Sequence, residues 1–217
     1  MPVRLRVTLV FAGALVAIAL IAAYLVGYLA VAPPAVQGAS GSNAQLTLQT
    51  LAAIGEGDRP DWVSYQVKDP SGQWVHSTTW MVPANSTIKV TIYQFDTASK
   101  LRNPFWAQPQ GIVPNSFAVN GTSMDSIPAE TASHTFAIPE LGVSVPLQGI
   151  PDGAKNPCAS APCDNSSDHQ TVTFSFRTGA PGKYHWQCFV PCGAGFIYGN
   201  GGPMSTIGYM GGFLVVV

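Results

Sequence analysis

The chain has 217 residues and a formal net charge of −1, with 10% charged and 47% hydrophobic residues. No basic stripe is available to release counterions from phosphates, so nucleic acid is not an expected partner. Setting aside about 45 amino-terminal residues leaves roughly 170, enough for one β-sandwich with its own core.

Residues 7–32 carry no charge. About 20 apolar residues suffice to cross a bilayer, whereas the apolar region of a cleaved signal is shorter, about 7–15 residues. Pro33 and Pro34 also disfavour processing after Ala30-Val31-Ala32. Residues 1–32 are therefore expected to form a retained transmembrane anchor. Arg4 and Arg6 precede the run and no basic residue follows before Arg59. The positive-inside bias then keeps the amino terminus cytoplasmic and makes a single-pass cell-membrane protein whose carboxy-terminal domain is extracytoplasmic. Tyr24 and Tyr28 suit the aromatic belt at the outer end.

Residues 33–60 are expected to be a linker. Within it, 44–54 could form a short helix, although the periodicity is too brief to decide. Residues 61–217 are expected to be the domain, an all-β, Greek-key sandwich of about seven or eight strands, because the 22 glycines and 18 prolines fall between short strand-like runs. Residues 62–67 alternate like a strand, Asp69-Pro70-Ser71-Gly72 supplies a turn, and 74–81 is expected to return. The clearest strand is 87–95, with Ile88, Val90 and Ile92 on one face and Lys89, Thr91 and Tyr93 on the other. A loop over 101–116 carries Phe105 and Trp106, which are expected to cap one end of the sandwich, with a partner surface as the alternative. A short strand follows at 117–119.

Residues 133–138 form a strand containing His134, and Pro139 bends the chain away, which presents the imidazole at the end of the sandwich. Cys158 and Cys163 lie on a long loop, 149–168. In an oxidising compartment a disulfide is the default for that pair. After a strand at 171–177 comes Pro181-Gly182-Lys183-Tyr184-His185-Trp186-Gln187-Cys188-Phe189-Val190-Pro191-Cys192-Gly193, a second strand running into two thiols four residues apart. The chain closes on a strand at 211–217. His185 falls on the opposite face from Cys188, so it is not expected to be a ligand, whereas Trp186 shares that face. His76 and His169 have no motif around them. No acid–base pair, Gly-x-Ser-x-Gly elbow or phosphate loop appears, so a self-contained enzyme is not expected.

Two tracts resemble the copper domain of cytochrome c oxidase subunit II, a cupredoxin. His134-Thr135-Phe136, Pro139-Glu140-Leu141-Gly142 and Ile150-Pro151-Asp152-Gly153 are similar to that family's His-Ser-Phe…Pro-Glu-Leu-Gly…Ile-Pro-Gly tract. Residues 181–193 are similar to its Pro-Gly-x-Tyr…Gln-Cys-x-x-x-Cys-Gly tract. Met210, before the last strand, looks like the axial methionine. The resemblance spans mainly 134–153 and 180–217. Three departures stand out. Phe196 occupies the position of the family's second histidine. Val190 replaces the glutamate that lends a backbone carbonyl. A glycine-rich insertion, 199–208, separates Cys192 from Met210.

The resemblance implies a copper cofactor held by His134, Cys188, Cys192 and Met210, with Met204 as the substitute for the absent imidazole. Thiolate and thioether are soft donors that suit copper, Cu(I) above all. A Cys188–Cys192 disulfide in a metal-free domain, and zinc on the same thiols, remain the alternatives. The implied function is a membrane-anchored copper-binding or electron-transfer protein, a subunit of a membrane respiratory oxidase-type complex. Its partners would be the membrane and other subunits of a haem-copper oxidase or other redox complex. The alternatives are a metal-free cupredoxin scaffold acting as an accessory or interaction subunit, and a free-standing copper-sequestering protein.

Overall fold

The computed structural model describes residues 2–26, 35–37, 44–54, 59, 61–190, 192 and 202–217. It divides into two compact units, Met1–Pro33 and Pro34–Val217.

The first unit holds helix α1, Val3–Tyr24. Its 22 residues are long and apolar enough to cross a membrane. At 1.5 Å per residue they span about 33 Å, the thickness of a hydrocarbon core. None of its described side chains is buried. Tyr28 lies outside the described residues.

The second unit is all β. Its strands are β1 (Val36–Gln37), β2 (Gln45–Leu51), β3 (Ser64–Lys68), β4 (Trp74–Val75), β5 (Thr79–Val82), β6 (Thr87–Gln94), β7 (Ala118–Val119), β8 (Thr122–Ser123), β9 (Ala132–Ile138), β10 (Val143–Gln148), β11 (Gln170–Arg177), β12 (Gly182–Gln187) and β13 (Gly211–Val216). Nine of these have four residues or more and four are two-residue stubs. One sheet runs β1-β5-β13-β12-β9-β10 and the other β4-β3-β2-β6-β11-β7-β8. Sequence neighbours repeatedly land in different sheets, as in a Greek key. Both β2–β6 and β5–β13 pair in parallel while the other long neighbours pair antiparallel. This mixed two-sheet sandwich is a cupredoxin-like fold.

Two expectations change. The segment 44–54 is not a helix. Gln45–Leu51 alternates, and Leu46 and Leu48 enter the core with no exposure. With β3 and β6 bonded on its two edges, β2 is an inner strand, so the segment expected as a linker contributes to the sandwich. The expected return strand 74–81 is split. Trp74–Val75 pairs with β3, whereas Thr79–Val82 crosses to the other sheet beside β13.

The core is filled by aromatics from both sheets. Trp80 and Trp186 stack at 4.5 Å, Phe136 lies parallel to Trp186 at 6.0 Å, and Tyr65 meets Trp186 edge-on at 5.0 Å. Each such pair contributes about 0.5–1.5 kcal/mol beyond its burial. The indole N–H groups of Trp80 and Trp186 donate to Ser77 O and Thr78 O at 2.8 and 2.9 Å, so neither is buried unpaired. Thr78 O also accepts from Phe213 N. A Cβ on Gly212 would collide with that carbonyl, so glycine is what lets β13 approach this junction.

Candidate metal centre

The site forms where β9, the end of β12 and the start of β13 meet. All seven residues of β9 are buried, and Gln187 pairs with Ala137 across the β12–β9 seam. Beyond Gln187 the chain leaves the sheet as the cysteine loop. Cys188 N donates to Met210 O at 2.9 Å, and Met210 N donates to Pro203 O at 3.0 Å. The approach to the last strand is thereby tied to the first cysteine.

Three of the five expected ligands converge. The Nδ1 atom of His134 lies 3.0 Å from Cys192 Sγ and 3.8 Å from Cys188 Sγ, and the two sulfurs are 2.8 Å apart. His134, Cys188 and Cys192 are 1%, 0% and 6% exposed, and their ligand atoms all fall within 4.8 Å of one another. Both thiols are free, at a separation well beyond the ~2.05 Å of a disulfide. The carbonyl of Val190 faces the same point, 2.9 Å from Cys192 Sγ and 3.5 Å from Cys188 Sγ. Replacing a glutamate side chain by valine therefore leaves a backbone oxygen beside both sulfurs.

Met210 is fully buried in the core cluster and Met204 is half-buried against it. Phe196 and the first three residues of the glycine-rich insertion, 199–201, lie outside the described residues. His185 is turned away, its ring against Phe213 at 5.7 Å. His169 packs on Tyr93 and Phe95, and His76 on Tyr209. None of these three belongs to the cluster. Cys158 and Cys163 form the expected disulfide. The loop aromatics do cap this end of the domain: Trp106 lies 5.9 Å from Phe189, the neighbour of Cys188, and 5.2 Å from Phe105.

Sequence reasoning missed Asp96. It sits two residues past β6, and its Oδ2 lies 3.0 Å from His134 Nε2. No motif marks it, and 38 residues separate it from its partner. The available signal was a carboxylate just beyond a strand whose end reaches the same edge of the sandwich.

The second coordination of these groups is also built. Thr135 N donates to Cys188 Sγ at 3.4 Å, and Thr135 Oγ1 accepts from Phe189 N at 2.7 Å. Burial pushes the Cys188 thiol up, but hydrogen bonding from Cys192 and His134 outweighs it and holds the thiol well below its usual range. Burial, then the Cys188 charge, pushes Cys192 up, so it keeps its proton. Burial alone would lower His134, yet the Asp96 carboxylate and the Cys188 thiolate raise it to about 9. Without metal the site sets a histidine raised by its neighbours beside one thiol held low and one held high.

This donor set fits copper. Two unjoined sulfurs, an imidazole nitrogen and a carbonyl oxygen, shut away from water, are soft to intermediate donors, and among the described residues no carboxylate oxygen stands with them.

No protein-family model and no curated protein matches the chain. Among solved structures it is similar to the copper protein rusticyanin at 17% identity and a TM-score of 0.34, covering 82% of this chain and 80% of that one. The rusticyanin of Thiobacillus ferrooxidans gives 16% and 0.33 over 82% and 79%. A chain of a heme-copper terminal oxidase dimer gives 14% and 0.29 over 99% and 98%. All lie below a TM-score of 0.5, so the cupredoxin-like assignment rests on strand order and on the place of His134 and the cysteine loop within it.

Proposed function

We propose that the protein binds copper at His134, Cys188 and Cys192, with Met210 and Met204 as thioether donors. In this reading it serves as a membrane-anchored electron-transfer subunit of a respiratory oxidase-type complex. The observation that carries the reading is the convergence of one imidazole nitrogen and two free thiols in a site almost without solvent exposure. Copper, when bound, supplies a one-electron redox centre.

The chain's own residues do the rest. Cys188 and Cys192 bind as thiolates and His134 through Nδ1. The Val190 carbonyl offers an oxygen in the place the subunit II resemblance implies. Trp186, Phe136 and Tyr65 pack the floor rigidly, and Phe189 with Trp106 covers the outer side. Such a dry, stiff setting limits reorganisation when charge changes. α1 holds the domain at the membrane, and Arg4 and Arg6 would keep the domain extracytoplasmic.

Purification of the full chain from membranes through an affinity tag tests this. Copper in the protein with co-purifying haem proteins is the expected result. A coloured protein purified alone would sink the complex and keep the copper. A colourless protein that holds no copper would sink both.

A further inference from the structure

Asp96 is held from every side. Oδ1 accepts from Thr97 N at 2.8 Å, and Oδ2 faces His134 Nε2 at 3.0 Å. Its own N–H donates to Gln94 Oε1 at 3.3 Å, and its carbonyl accepts from Ile150 N at 3.0 Å. The segment after it lies flush against β10's exit: a Cβ on Gly149 would come within 2.7 Å of Ala98 N. Phe95, just before it, is buried with Leu51 and Cys163. The carboxylate is therefore placed by the fold, independently of anything bound at the sulfurs.

We propose that Asp96 is the positioning residue of the metal centre. It clamps His134 through Nε2 so that Nδ1 faces the two sulfurs as a ligand, and its fixed negative charge favours the cupric over the cuprous state. The proposal rests on the copper reading above. A ring whose Nε2–H donates to a carboxylate has its tautomer chosen and its orientation fixed. Here that matters more than in a site with two imidazoles, because a single ring must supply all the nitrogen ligation. The charge acts against the sulfurs. Two soft thiolates draw the site toward Cu(I), whereas an anion one bond beyond the imidazole stabilises the more highly charged ion in a poorly screened interior.

The test uses the full-length chain in detergent, with Cu(I) as the probe in competition with a chromophoric Cu(I) chelator, and the reduction potential of the copper-loaded protein. Asp96→Ala should weaken copper binding by about 10–100-fold, the usual loss when an outer-shell partner of a metal-bound histidine is removed. Asp96→Asn keeps an acceptor for Nε2 and loses the charge. It should recover most of the affinity yet shift the Cu(I)/Cu(II) balance at least about tenfold toward Cu(I), roughly 59 mV for one electron. A purely structural residue would not separate the two readouts. Wild-type affinity in Asp96→Ala, or a wild-type potential in Asp96→Asn, overturns the proposal while copper in the parent keeps the site. If Asp96→Ala does not fold, Asp96→Asn alone decides. A parent that takes up no copper overturns the site and this role together.

Discussion

The β-sandwich contains two cysteine pairs of nearly equal spacing and opposite chemistry. Cys158 and Cys163, five residues apart, are joined; Cys188 and Cys192, four apart, are not, although their sulfurs lie 2.8 Å from each other. Surroundings make the difference. The first pair sits on the loop between β10 and β11, packed against Leu51, Phe95 and their neighbours, with one polar contact at sulfur, Cys158 Sγ to Ser160 O at 3.3 Å. The second is enclosed by an imidazole, a backbone N–H and a carbonyl directed at the sulfurs. The joined pair has a single backbone carbonyl beside its sulfurs, whereas the unjoined pair, met by a ring nitrogen and a carbonyl, is the one proposed above as the ligand set. Spacing alone does not distinguish the two.

Removing either pair should break the comparison most visibly. Cys188→Ser, or Cys192→Ser, should abolish copper uptake measured by elemental analysis, because a hydroxyl would replace a soft donor. The double change Cys158→Ser with Cys163→Ser should leave copper content at the parent level. Its effect belongs to the folding equilibrium: closing so short a loop contributes about 2 kcal/mol, to be read from the denaturation midpoint. Copper loss in the 158/163 variant would contradict the division of labour drawn here.

The protonation of the second pair sharpens the contrast further. At pH 7 the metal-free site holds a proton on His134, raised to about 9, and another on Cys192, which burial pushes up, while hydrogen bonds from Cys192 and His134 hold the Cys188 thiol below its usual range. Copper needs the thiolates and a free Nδ1, so loading should release about two protons. Apparent affinity should then climb about a hundredfold per pH unit below pH 9. It should climb about tenfold per unit above pH 9, where His134 has already lost its proton. Calorimetry in buffers of different ionisation enthalpy counts the protons directly. For the metal-free domain the sign is reversed. A raised histidine stabilises the fold fully below its unfolded value near 6.5, and that contribution disappears as pH rises through about 9.

Smaller effects are expected at the methionines. Met210→Leu should leave copper bound and raise the reduction potential, since a weak thioether donor would tune the metal more than hold it. Met204→Leu should do less, because Met204 is only half-buried at the edge of the core, whereas Met210 is fully enclosed and its carbonyl accepts from Cys188.

How far these features can be read from the chain varies with how local their causes are. The alternation of Ile88, Val90 and Ile92 against exposed Lys89 is a local pattern, and β6 appears where it predicts. Gln45–Leu51 alternates as well, but burial between two neighbours covers both its faces: Leu51 turns to Phe95 while Leu46 and Leu48 turn to the main core. The short run followed by Ala52-Ala53-Ile54 then resembles a helix start. The break between Trp74–Val75 and Thr79–Val82 is set by a tertiary contact, Thr78 O serving both Trp186 and Phe213. At the site, the cysteines and His134 carry motifs. Asp96 carries none, because its role comes from the register between the end of β6 and Ile150.

The central claim is that Cys188 and Cys192 form a ligand pair. Its most direct test is a copper titration of the full-length protein under reducing conditions, followed by desalting, metal analysis, a visible spectrum after mild oxidation, and the intact mass of the metal-free chain. The account predicts retained copper, a thiolate-to-copper absorption band, and a mass with one disulfide, that of Cys158 with Cys163. A chain that keeps no copper and whose mass shows two disulfides would contradict it.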